Sequence, residues 1–132
     1  MISTKGRYAM RVMIDLAEHK DDSYIPLKDI AGRQDISKKY LEIIMKDLVS
    51  KKLVAAASGK GGGYKLLKDP SEYRAIDILE ATEGSLATVA CLRKDAEPCP
   101  RASYCKTIPM WEELDALISD YLSSKTLKDL AH

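Results

Sequence analysis

Residues 37–66 read SKKYLEIIMKDLVSKKLVAAASGKGGGYKL, and this stretch decides the fold. Ser37 is a good N-cap, since a serine hydroxyl can satisfy an amide that the first helical turn leaves without a partner. Leu41, Ile44, Met45 and Leu48 then recur at helical spacing and form one apolar stripe. The other face carries Lys38, Lys39, Glu42, Ile43 and Lys46. After the helix, Leu53 to Ala57 reads as a strand, Ser58 to Gly63 as a glycine-rich loop with Lys60 at its tip, and Tyr64 to Leu67 as a return strand. The loop is no phosphate-binding loop. It lacks the Gly-Lys-Ser/Thr ending and leads into a strand instead of a helix.

Upstream, Ala9, Val12, Met13 and Leu16 mark an amphipathic helix from Thr4 to about His19. Ile25-Pro26 opens a short second helix with Leu27, Ile30 and Ala31 inward. Gln34-Asp35-Ile36 is a tight connection to the helix that starts at Ser37. Two short helices so joined form a helix-turn-helix, whose second member can enter a major groove. A basic hairpin directly behind it is a wing suited to the DNA backbone or minor groove. The expected architecture is therefore mostly α with a small β-hairpin. It comprises a winged helix-turn-helix domain over 1–84, a cysteine-containing loop over 85–106, and a long dimerisation helix with its tail over 107–132. That last helix begins near Thr107 and carries Trp111, Leu114, Leu117, Ile118, Tyr121 and Leu122, more apolar face than a small winged domain covers. A two-fold homodimer follows, and with it a near-palindromic operator on double-stranded DNA.

Charge supports a polyanionic partner. The net charge is only +1, but residues 1–70 hold 14 Lys/Arg against 9 Asp/Glu, and residues 71–132 hold 7 against 11. Lysines set against phosphates release condensed counterions. With 132 residues, 45% hydrophobic and 31% charged, the composition is that of a folded domain rather than a disordered chain. No apolar run approaches a membrane span, and no apolar segment follows the first basic residues, so a cytoplasmic protein is expected. Neither His19 nor His132 belongs to a nucleophile–base motif and the acids show no paired pattern, so no catalysis is expected.

The three cysteines, Cys91, Cys99 and Cys105, are spaced C-x7-C-x5-C. An odd number cannot all be paired within one chain, and there is no C-x-x-C pair of the zinc-knuckle or thioredoxin kind. Three thiolates on one irregular loop can wrap an iron–sulfur cluster of two or four irons, leaving one position to a weaker ligand. Free structural thiols, a tetrahedral zinc with a fourth ligand, and a reversible redox disulfide are the alternatives.

The stretches Ser3 to Ala9, Ile30-Ala31, Ile36 to Glu42 and Gly61 to Leu66 resemble those of the bacterial Rrf2-type winged-helix repressors (IscR-, NsrR-, RirA- and CymR-like), and the likeness runs over nearly the whole chain. The resemblance implies a dimeric transcription factor that often holds an iron–sulfur cluster. It would set Ser37, Lys38, Lys39 and Tyr40 at the major groove and backbone. Ser58, Gly59, Lys60 and Gly61 would lie in the wing, and Cys91, Cys99 and Cys105 would be cluster ligands. Some positions depart from the pattern. The wing arginine is replaced by Ser58, with only Lys60 nearby, and lysine lacks the planar fork that suits minor-groove insertion. The glycine that usually ends the reading helix is Lys52. Fourth-ligand positions of the family hold Ile108 and Tyr8 here, leaving Asp95, Glu97, an external thiol or water. The resemblance also implies an alternative without a cluster, a regulator of sulfur metabolism controlled by thiol redox state or by a regulatory protein partner. A winged-helix module that binds only proteins is the third reading.

Overall fold

The computed structural model describes residues 2–131; Met1 and His132 lie outside them. Helix α1 (Thr4–Glu18) starts at the expected serine cap, Ser3, whose hydroxyl accepts the Gly6 N–H at 3.2 Å. Helices α2 (Leu27–Gln34) and α3 (Lys38–Ser50) follow, then β1 (Val54–Ala57) and β2 (Gly63–Leu66). A 3-10 turn (Pro70–Glu72) leads into α4 (Ala75–Glu83). A second 3-10 turn (Ala90–Leu92) is the only regular piece of the segment before α5 (Ile108–Ser124) and the short α6 (Leu127–Leu130). This is the mostly helical winged-helix architecture that the sequence implies.

The core gathers Ala9, Val12, Met13 and Leu16 of α1 against Ile30 of α2 and Leu41, Ile44, Met45 and Leu48 of α3. All are at most 1% exposed, and each fully buried aliphatic side chain contributes about 1.5–3 kcal/mol. Helix α4 lies across α1 at close range. A Cβ at Gly6 would fall 2.2 Å from Glu83 Oε1, while that carboxylate accepts from Ser3 N at 2.8 Å and Ser3 Oγ at 2.6 Å.

Two left-handed residues frame the reading helix. Asp35 (φ 53°) turns the chain between α2 and α3. Lys52 (φ 60°) follows α3 in the left-handed conformation, where the family pattern has glycine, and Leu53 N–H returns to Leu48 O at 2.9 Å. A lysine in that conformation costs about 1 kcal/mol relative to glycine. The hairpin is antiparallel, with Val54 opposite Leu66 and Ala57 opposite Gly63. The sequence reading took Ile25 only as the start of a helix. It also pairs with Tyr64 through Ile25 N to Tyr64 O at 2.8 Å and Tyr64 N to Ile25 O at 2.9 Å, so the segment before α2 forms a third short edge. At Gly63 (φ 142°) a Cβ would sit 2.1 Å from Ile25 O, so a side chain is excluded there.

The tail after α5 returns to the winged-helix body. Ala75 N–H donates to Lys125 O at 2.8 Å, Leu127 N–H to Tyr73 O at 3.0 Å, and Leu127 is 1% exposed within the core. Helix α5 itself has no buried residue.

One buried charge holds α1 to the end of α2. Asp15 is fully buried. Its carboxylate accepts from Arg33 at 2.7 and 2.9 Å and from Gln34 Nε2 at 2.9 Å, with His19 Nδ1 at 3.8 Å. Burial opposes ionisation, but the hydrogen bonds from Arg33 and Gln34 and the charges of Arg33 and His19 outweigh it and hold the acid below the usual carboxylate range. A native-state value below the unfolded one stabilises the fold above the unfolded carboxylate pKa and is lost as pH falls through the native value. Arg33→Met, which strands the buried carboxylate, is expected to lower stability by about 3 kcal/mol at neutral pH. Denaturant melts from pH 7 to pH 2 should also show a shallower acid loss for Asp15→Asn than for the parent chain.

Candidate nucleic-acid interface and cysteine loop

The division of α3 into an apolar and a basic face leaves Lys38, Lys39, Glu42, Ile43 and Lys46 exposed, Ile43 at 50%. Ser37 spends its hydroxyl on the cap, accepting Tyr40 N–H at 3.2 Å. Tyr40 is half-buried against α1. Its ring meets Tyr8 edge-on with centroids 5.7 Å apart, and the Arg11 guanidinium lies 5.0 Å over the Tyr8 ring. Arg11 also donates to the Gln34 carbonyl, and Lys5 pairs with Asp47. The first helix therefore fixes both ends of the reading helix.

The wing turns through Gly59, Lys60 and Gly61, closed by Gly62 N–H to Gly59 O at 3.0 Å. Between it and α3 opens a groove of about 680 Å³ whose lining includes Lys28, Lys38, Glu42, Ser58, Gly59 and Tyr64. The structure thus brings Lys38, Ser58 and Gly59 to one concave surface. Lys60 and Gly61 are exposed at the wing's tip, Lys39 stands on the outer face of α3, and Tyr40 is turned to α1. Lys28 and Glu42 line the groove but were not among the sequence candidates. The available signal was Lys28 in the first turn of α2 and Glu42 on the outer face of α3 beside Lys38 and Lys39.

Residues 85–106 are irregular apart from the Ala90–Leu92 turn. The segment is tied to α5 at both ends, by Thr88 N–H to Asp115 Oδ1 at 2.9 Å and by Cys105 Sγ to Thr107 Oγ1 at 3.2 Å. All three cysteines are unbridged thiols, with Cys91 exposed and Cys99 and Cys105 half-buried. The Thr107 hydroxyl, the Thr107 and Ile108 amides and the Arg101 charge together hold the Cys105 thiol below its ordinary pKa. Three thiols are suitable donors for an iron–sulfur cluster. As folded, however, no three His, Cys, Asp or Glu residues among those described are gathered as metal ligands. Of the fourth-ligand candidates, Asp95 pairs with Arg93 at 3.5 Å.

Along α5, Met110, Leu114, Leu117 and Tyr121 are 51%, 38%, 67% and 62% exposed. Ile2, Leu86, Leu117, Ile118, Tyr121 and Leu122 line an adjoining apolar groove of about 380 Å³. No helix among the described residues is long and apolar enough to cross a membrane.

Comparison with known proteins matches residues 2–132 to the Rrf2 family, described as iron-dependent transcriptional regulators. The transcriptional regulator IscR of Yersinia pseudotuberculosis is 38% identical over 131 residues, covering 99% of this chain and 79% of that protein. Among solved structures, CymR (YrzC), the global cysteine regulator of B. subtilis, is 36% identical at a TM-score of 0.79, covering 99% of this chain and 95% of that one. IscR of T. potens is 34% identical at a TM-score of 0.78, covering 98% and 85% respectively. The winged-helix core and these likenesses agree: the chain belongs to the Rrf2 family and is a DNA-binding transcriptional regulator of the IscR and CymR type.

Proposed function

We propose that the chain is a homodimeric repressor that grips a near-palindromic operator with α3 and the wing of each protomer and senses its signal through the cysteine loop. The observation that carries this reading is the basic outer face of α3 standing beside a glycine-rich wing, with Lys28 and Lys38 in the groove between them. In it, Lys38, Lys39 and Lys60 meet phosphates, Ser37 and Tyr40 orient the first turn of α3, and Ser58, Gly59 and Gly61 let the wing's backbone approach the duplex. Such lysine contacts supply affinity without sequence information, which comes from base edges reached in the major groove from the exposed face of α3.

The second copy covers α5. A 17-residue helix with no buried side chain and a row of exposed Leu and Tyr is an interface surface. A two-fold pairing there would set the two reading helices about 34 Å apart, one turn of the duplex.

Cys91, Cys99 and Cys105 would hold the iron–sulfur cluster, two-iron or four-iron, with the fourth position filled by Asp95, Glu97, an external thiol or water. When bound, the cluster supplies a centre whose charge and integrity respond to iron and oxidants. Gathering the thiols requires the 85–106 segment to refold, and its two ties to α5 would carry that change to the dimer helix. The cluster-free reading is favoured by a different observation, the unbridged Cys105 thiol held 3.2 Å from the Thr107 hydroxyl, a contact that lowers its pKa. A low-pKa thiol is the one that oxidants find first. The similar CymR of Staphylococcus aureus has been solved in an oxidized form, 33% identical at a TM-score of 0.75.

Three outcomes follow. Lys39→Ala and Lys60→Ala should each weaken binding to duplex DNA about 5- to 30-fold. The slope of log K against log salt should fall by roughly 0.9 for each phosphate left without its lysine, as read by fluorescence anisotropy titrations. Leu117→Glu should yield monomer in analytical ultracentrifugation and lose operator affinity. Protein purified without oxygen should be coloured and contain iron and acid-labile sulfide, both lost in Cys99→Ser; a colourless, iron-free preparation with oxidation-sensitive binding would select the thiol reading.

A further inference from the structure

Tyr73 stands just before α4, outside the reading helix and the wing, and is 1% exposed. Its phenol joins three main-chain groups on two segments of the chain. The hydroxyl donates to Leu53 O at 2.7 Å and accepts from Leu67 N at 2.9 Å and Lys68 N at 3.2 Å. Leu53 follows the left-handed Lys52 that ends α3, and Leu67 and Lys68 leave β2. The two roots of the hairpin and the end of the reading helix therefore meet on one oxygen atom. That oxygen uses its single proton and both lone pairs. The Lys68 ammonium lies 5.5 Å over the ring, and the residue's own carbonyl receives the Leu127 N–H at 3.0 Å.

A two-stranded hairpin is only marginally stable by itself, and this one has four residues in each strand. Ile25 braces it beside Gly63 and Tyr64, on the side toward the tip. At its root, Tyr73 is the side chain that joins both strands to the end of α3. We infer that Tyr73 is the positioning residue of the wing: its hydroxyl fixes the angle between hairpin and reading helix, and so determines whether the wing tip reaches DNA while α3 occupies the groove. The inference rests on the wing contacting DNA, as proposed above. Tyr73 touches no nucleic acid itself and acts through Leu53, Leu67 and Lys68.

Tyr73→Phe keeps the ring and removes only the oxygen, which makes a double-mutant cycle with Lys60→Ala the test. The probe is a duplex that the full-length protein has itself selected from a random-sequence pool. Binding is measured by anisotropy across a salt series, and the wing's contact is read by hydroxyl-radical footprinting. Tyr73→Phe is expected to weaken binding about 5- to 30-fold, to lower the salt slope as Lys60→Ala does, and to erase protection at the flanks of the site while sparing its centre. In the Tyr73→Phe background, Lys60→Ala should change affinity less than about 2-fold, since the two substitutions act on one coupled contact. A purely structural role for the hydroxyl would lower the melting temperature yet leave the Lys60 effect at full size, and that additive result overturns the inference. Unchanged flank protection overturns it as well. If Lys60→Ala is silent in the parent chain, the wing reading fails first, and the inference falls with it. Should Tyr73→Phe not fold, 3,5-difluorotyrosine placed at position 73 keeps the hydroxyl but makes it a poorer acceptor. The same cycle then applies: a diminished Lys60 effect supports the inference, and a full-size one overturns it.

Discussion

Everything in this molecule depends on α3 being buried along one side and bare along the other. Leu41, Ile44, Met45 and Leu48 are wholly inside, and that stripe forces Lys38, Lys39, Glu42, Ile43 and Lys46 outward, since opposite sides of a helix cannot share a surface. The core therefore does more than stabilise. By seating α3 on α1 and α2 it aims a row of lysines, and a rotation of the helix by half a turn would bury charge and expose the stripe at once.

Polar contacts then fix what apolar burial leaves loose. Hydrophobic packing is non-directional, so the angle between elements needs directional bonds. The Asp15 carboxylate pins α1 to the end of α2 just before the left-handed Asp35. The Tyr8, Tyr40 and Arg11 contacts hold the start of α3 on α1, and the Tyr73 hydroxyl secures the chain at its end. Asp15 and Tyr73 are themselves buried and hydrogen-bonded, the condition under which polar groups impose geometry rather than destabilise.

The second half of the chain follows a different rule. Beyond its two ties toward α5, the hydrogen bonds of segment 85–106 are local ones within the segment, and no α5 residue is fully buried. Elements with little buried contact open at low free energy, the property that the proposed sensing role would use. A domain held only by its core could not easily transmit a change in one loop. Here the loop ends on a helix, and the chain after that helix re-enters the core at Leu127.

How much of this was legible in the sequence depends on whether the signal was local. The helices, the hairpin and the Ser37 cap could all be read from the chain, because spacing and capping chemistry are encoded within a few neighbours; that Lys52 stands where the family has glycine came from the resemblance, and its left-handed backbone from the structure. The basic face of α3 was legible for the same reason. The buried Asp15, the third edge at Ile25, the groove shared by Lys28, Glu42 and Ser58, and the three-way junction at Tyr73 were not. Each depends on residues far apart in the chain, where no periodicity links the partners, and an aspartate or a tyrosine looks alike in sequence whether it ends in solvent or in the core. The sequence by itself determined which elements form and which of their faces are apolar, since both follow from local hydrogen bonding and periodic burial. Tertiary structure alone decided which distant polar groups meet, because that depends on how the packed faces bring separate segments within bonding distance.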